Sequence, residues 1–176
     1  MKRALLACAA LLWLAQEAAA QTAPAAPKPP PRPMDCAAAD HRQLDFWVGE
    51  WRVFNTADNV EYAASRIERI LGGCAIKETY DAPKAPGGAY AGSSHSAYDF
   101  ASKQWRQFYV DTTGSVTHFV GGLEGAEMVM TTPGFAGLQR MVYRPQPDGS
   151  VRQIGTVSTD QGRTWLPGYD YTYRRR

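Results

Sequence analysis

Ala89-Tyr-Ala-Gly-Ser-Ser-His-Ser-Ala-Tyr-Asp-Phe-Ala-Ser-Lys-Gln-Trp-Arg-Gln-Phe-Tyr-Val-Asp111 holds two alternating runs on either side of a turn. One run spans Ala89–Asp99 and the other Lys103–Asp111, with Ala101-Ser102 where the chain must reverse. Side chains of a strand alternate between its two faces, so each run offers one face to an interior and one to water. Together they predict an antiparallel hairpin.

Outward from this hairpin the pattern repeats about every nine to twelve residues, the spacing of an antiparallel meander. Before it the runs are Glu50–Asn55, Glu61–Leu71 and Cys74–Tyr80. After it come Ser115–Gly121, Ala126–Thr131, Leu138–Arg144, Ser150–Ser158 and Gly168–Arg174. Turn chemistry separates them at Gly72-Gly73, Thr113-Gly114, Glu124-Gly125, Pro147-Asp148-Gly149 and Asp160-Gln161-Gly162. Long helical periodicity and long crossovers are both missing. The expectation is an all-β, up-and-down antiparallel β-barrel of about ten strands, in preference to a Greek-key sandwich. Closure also removes the edges that an open sheet of that size would expose.

One stretch reads as helical. In Ala37-Ala-Ala-Asp-His-Arg-Gln-Leu-Asp-Phe-Trp47 the apolar Leu44 and Trp47 lie three apart, which predicts a short plug helix with both on one face. Gly49-Glu50-Trp51 follows at the start of the first strand, and Arg174 ends the last. This arrangement resembles the structural kernel of the lipocalins and wider calycin barrels: a short helix, a Gly-x-Trp, and a late basic residue to stack on that Trp. Leu44-Asp-Phe-Trp-Val-Gly-Glu-Trp51, Leu71-Gly-Gly-Cys-Ala-Ile-Lys-Glu78, Trp105-Arg-Gln107, Gly149-Ser-Val-Arg-Gln153 and Ser158-Thr-Asp-Gln-Gly-Arg-Thr-Trp165 occur in order. These segments are similar to a secreted bacterial calycin-like family of unknown function. The resemblance covers about residues 36 to 174 and implies a fold, with no reaction to carry over. By it, Gly49, Trp51 and Arg174 form the kernel.

Ahead of the barrel, Lys2 and Arg3 open the chain, an apolar run follows, and Ala18-Ala-Ala20 supplies small residues before Gln21. That order predicts a signal peptide over 1–20, with an apolar run too short to span a bilayer in a finished protein. A lipoprotein box ending at Cys8 is the rival reading. Residues 21–34 form a Pro/Ala-rich linker in which proline blocks both helix and sheet, and residues 35–176 form the barrel domain. The expected location is the periplasm or the outside of the cell. Cleavage leaves Cys36 and Cys74, which in an oxidising compartment are expected to pair as a disulfide; two buried free thiols are the alternative.

The whole chain has 176 residues, 44% of them hydrophobic, and a formal net charge of +2. These values exclude collagen, coiled coil and a disordered chain, and a charge this small gives no phosphate-binding footprint. Nucleic acid is therefore not an expected partner, nor is stable membrane insertion. The C-terminal Arg174-Arg-Arg176 could touch anionic lipid only weakly.

Function then depends on which side chains point inward. The charged Lys77 marks an outer face and so turns Cys74, Ile76, Glu78 and Tyr80 inward. The same parity argument turns in Ser94, Ser96 and Tyr98, then Trp105, Gln107, Tyr109 and Asp111, and finally Arg140, Val142, Val151 and Gln153. Glu78, Ser96, Trp105, Gln107, Arg140 and Gln153 are thus the candidate ligand-binding residues, with Arg140 as the partner that a buried Glu78 needs. A non-catalytic barrel binding a small apolar molecule with a polar group is the leading expectation. A haem-binding barrel using His95 or His118, and an interaction module or internal polar scaffold without ligand, are the alternatives. Tyr169, Tyr171 and Tyr173 share one face of the last strand, which reads as packing. No metal-site spacing, phosphate loop or nucleophile elbow is present.

Overall fold

Ten strands follow one another: β1 (Gly49–Asn55), β2 (Glu61–Ile70), β3 (Ala75–Ala82), β4 (Tyr90–Asp99), β5 (Gln104–Asp111), β6 (Val116–Glu124), β7 (Glu127–Thr131), β8 (Leu138–Pro145), β9 (Val151–Ser158) and β10 (Leu166–Arg175). The computed structural model describes residues 36–134 and 137–176, so the expected signal peptide and linker lie outside the described residues. Each strand pairs antiparallel with its sequence neighbour, and β1 pairs with β10 to close the barrel. The architecture is the expected closed, all-β, up-and-down barrel. Closure registers Trp51 opposite Arg175 and Val53 opposite Tyr173.

Alternation places the core. Trp51 and Val53 of β1, Ile67 of β2, Ile76 and Tyr80 of β3, and Tyr173 of β10 are buried, while intervening residues such as Arg52, Thr79 and Arg174 face water. Ion pairs lie on the outer wall, among them Arg52 with Glu61 and Arg106 with Asp99. Among the described residues no helix is long and apolar enough to cross a membrane.

The plug differs from the expected single helix. It consists of two 3-10 turns, Ala39–Arg42 and Asp45–Trp47. Three residues per turn eclipse i and i+3, so Leu44 and Trp47 do face the same way and both are buried. Several bonds fix the plug in the barrel's end. Trp51 donates its indole N–H to the Trp47 carbonyl at 2.8 Å, Trp105 donates to Gln43 Oε1 at 3.0 Å, and Arg69 of β2 pairs with Asp45. A Cys36–Cys74 disulfide ties the start of this segment to the turn before β3. Cys74 itself stands outside β3, because Leu71–Gly73 forms a 3-10 turn with Gly72 at φ 66°.

The kernel needs one correction. Arg175, not Arg174, lies over Trp51, with its guanidinium carbon 4.3 Å from the ring centroid, and its Nη1 donates to the Val48 carbonyl at 2.9 Å. Arg174 points to the other face, where it covers Phe54 at 4.4 Å and bonds Asn59. Parity is the reason: Trp51 is inward, and its register partner Arg175 follows Tyr173 on the same face. Gly49, at φ 151°, completes the set, since a Cβ there would overlap the Arg175 guanidinium.

Candidate ligand-binding cavity

Above the plug the barrel holds a cavity of about 300 Å³. Trp47, Trp51 and Trp105 close the floor, all three buried. The opposite end is open, where Tyr90, Asp111 and Ser115 stand partly or fully exposed on the cavity's rim. Of the nine tyrosines in the chain, eight line this space: Tyr62, Tyr80, Tyr90 and Tyr109 from β2 to β5, Tyr143 from β8, and Tyr169, Tyr171 and Tyr173 from β10. Period-two placement on β10 is what sends three of them into the same space. Two of these stack closely, Tyr169 on Tyr171 at 5.2 Å between centroids, and Tyr62 extends the stack on Tyr171 at 5.1 Å. The Tyr169 ring lies flat across Gly155 of β9, a position where any Cβ would overlap it. Wall thickness is thereby kept small and the cavity stays open.

Glu78 stands in the middle of β3 with its side chain on this cavity and only 4% of the residue exposed. Ser65 of β2 donates to its Oε1 at 2.9 Å and Ser94 of β4 to its Oε2 at 3.3 Å. No cation reaches it among the described residues. Burial disfavours the charged carboxylate, and the two serine hydroxyls only partly offset this, so the pKa is pushed up to about 7. At the rim the opposite holds for Asp111. Partial burial acts against its charge, but bonds from Thr113, Tyr90 and the backbone together hold it below the usual carboxylate range. Tyr80, Tyr109, Tyr143 and Tyr173 are raised above the ordinary phenol value, chiefly by burial and secondarily by neighbours that include Glu78, so their hydroxyls stay neutral.

The other polar groups form local networks. Gln107 Nε2 donates to Ser96 Oγ at 3.0 Å and to the Tyr143 hydroxyl at 3.2 Å. Tyr173 donates to Gln153 Oε1 at 2.8 Å, and Tyr90 bonds both the Tyr109 hydroxyl, at 2.7 Å, and Asp111 Oδ2, at 3.2 Å. Tyr80 is the exception: its buried hydroxyl has no hydrogen-bond partner among the described residues. A buried polar atom of this kind is costly unless something satisfies it.

Six residues were expected here, and the structure brings three of them together on the cavity surface: Glu78, Gln107 and Gln153. Ser96 sits behind Gln107 and orients it, while Trp105 belongs to the floor and touches the plug. Arg140 is a correction. Gln139, Met141 and Tyr143 are the residues of β8 that line the cavity, which leaves Arg140 and Val142 on the outer face. Arg140 there approaches Glu124 at 3.9 Å and lies over Trp165. Each face of β8 carries an apolar residue, so alternation alone did not choose. The available signal was Glu124 and Glu127 in the preceding hairpin, which pair outside with Arg140 and Arg144. His95 and His118 are exposed on the outer wall, and among the described residues no histidine lines the cavity. Haem ligation through either histidine inside the barrel is therefore corrected as well. Reading strand by strand missed the convergence of Tyr62, Tyr90, Tyr143 and the β10 tyrosines. The number of tyrosines sharing an inward parity would have revealed it.

Comparison with protein-family models and with curated proteins finds nothing that matches this chain.

Proposed function

We propose that this protein is a secreted or periplasmic small-molecule carrier, non-catalytic, whose calyx takes a compact ligand with an apolar body and one polar group. The observation that carries the reading is the one-ended cavity of about 300 Å³ under eight tyrosine rings, with a single buried carboxyl among them. That volume is at the small end of ligand sites, which matches a molecule of about one ring. Tyrosine suits such a role because its rigid ring supplies contact area and its hydroxyl supplies directed hydrogen bonds. The order of charged, apolar and small residues over 1–20 supports export.

Native mass spectrometry of protein purified from its own secretory compartment tests the reading. The expected result is a small molecule that leaves on denaturation and that raises the melting temperature when added back, by mass action on the folded state. Bare protein whose melting shifts with no member of a small-molecule library overturns it.

A further inference from the structure

We infer that the ligand is an organic cation, a compact ammonium whose charged head sits against Glu78 inside a cage of tyrosine faces. This rests on the carrier reading above and assigns its polar group. Among the described residues two carboxyls line the cavity, Glu78 in its wall and Asp111 at its rim, and no lysine, arginine or histidine does. Among the described residues the Glu78 carboxyl is bonded only by two neutral hydroxyls, although a carboxylate offers about four acceptor sites. The one arginine that strand parity had offered as its partner is on the outside of the barrel. A buried carboxylate in that state gains most from a ligand that brings the missing positive charge. Tyrosine faces attract the same charge through their ring quadrupoles, which is the basis of aromatic cages for ammonium groups. The unpartnered Tyr80 hydroxyl adds an acceptor for an ammonium N–H. Asp111, held ionised, draws cations toward the open end and repels anions.

Affinity then depends on the charge of Glu78. The titratable groups that face it are Tyr62 from β2, Tyr80 from β3, Tyr90 from β4, Tyr109 and Asp111 from β5, Tyr143 from β8 and the three tyrosines of β10. Burial holds the phenols of Tyr80, Tyr90, Tyr109, Tyr143 and the three β10 tyrosines neutral and Asp111 remains charged, while Glu78 changes state near neutrality. Cation binding holds it ionised and expels its proton.

The test uses three probes on one skeleton: phenethylamine, phenethyl alcohol and phenylacetate, titrated calorimetrically into the protein at about pH 8 and about pH 5.5. The amine is expected to bind at least about tenfold more tightly than the alcohol at the higher pH, and to lose at least about tenfold at the lower. Titrations in buffers of different ionisation enthalpy should count about half a proton released at about pH 7 and close to one at about pH 5.5. Glu78→Gln should abolish both the amine preference and the pH dependence. Should that variant fail to fold, the wild-type charge series and proton count decide alone. An alcohol or acid that binds as well as the amine, or an amine affinity equal at both pH values, overturns the cation assignment and leaves the carrier reading standing. No binding by any of the three also overturns the cation assignment, and the carrier reading falls with it only when the mass spectrometry and library melts above find no ligand either.

Discussion

Between about pH 4.5 and about pH 7 the folded chain keeps a proton on Glu78 that the unfolded chain has already released. Folding therefore weakens as pH rises through that window, and the contribution of the neutral carboxyl is complete only below it. A shift of this size corresponds to about 3 kcal/mol over the window. Urea denaturation at a series of pH values should show this loss, and Glu78→Gln should flatten it. At the barrel's end, Trp51 is fully buried, bonded to Trp47 and covered by Arg175, so Trp51→Ala should cost about 3–5 kcal/mol. A variant that melts like the parent would remove Trp51 from the core. The two arginine corrections come from parity at this scale. Tyr169, Tyr171 and Tyr173 already assign odd-numbered residues of β10 to the inside, which leaves Arg174 outside and Arg175 under the barrel with Trp51. Arg140 gave no such lead within its own strand, because Val142 beside it is as apolar as Met141 opposite.

Among the elements, the plug depends most on long-range ties. Its two turns of four and three residues are too short to hold by helix propensity, and among its anchors are the Cys36–Cys74 bridge and the Arg69–Asp45 pair. Reduction should lower stability by up to about 4 kcal/mol, the chain-entropy value for a loop closed across 38 residues of separation. Melting with and without reductant measures it, and equal curves would mean that the other ties suffice. On β9, Gly155 leaves room for the Tyr169 ring to lie along the wall. Gly155→Ala should push that ring into the cavity, cost about 1–3 kcal/mol by overpacking, and weaken any ligand more than Gly125→Ala, a change at a remote hairpin turn where a Cβ meets nothing. Strand order and turn positions were legible in the sequence because period two and Gly-rich reversals are local signals. The 3-10 form of the plug was not, since Leu44 and Trp47 three apart suit either helix type and the choice depends on what the plug packs against.

For the whole molecule, the barrel has a polarity that no single strand reveals. Trp47, Trp51 and Trp105 gather at one end and tyrosine fills the space above them, the rings coming from the plug and seven of the ten strands. Sequence parity could assign a residue to the inside, but depth along the axis depends on the stagger of ten paired strands, and stagger is a property of the closed sheet. One consequence of this layering is optical. The Trp47 ring lies 4.7 Å from Tyr143, and the Trp51 ring 6.3 Å from Tyr173. Light absorbed by the phenols of the cavity will pass down to the indoles of the floor before it is emitted. A guest slipped among those phenols changes the relay, by intercepting the excitation or by altering ring orientation, so the protein carries an unlabelled fluorescent gauge of whether its cup is full.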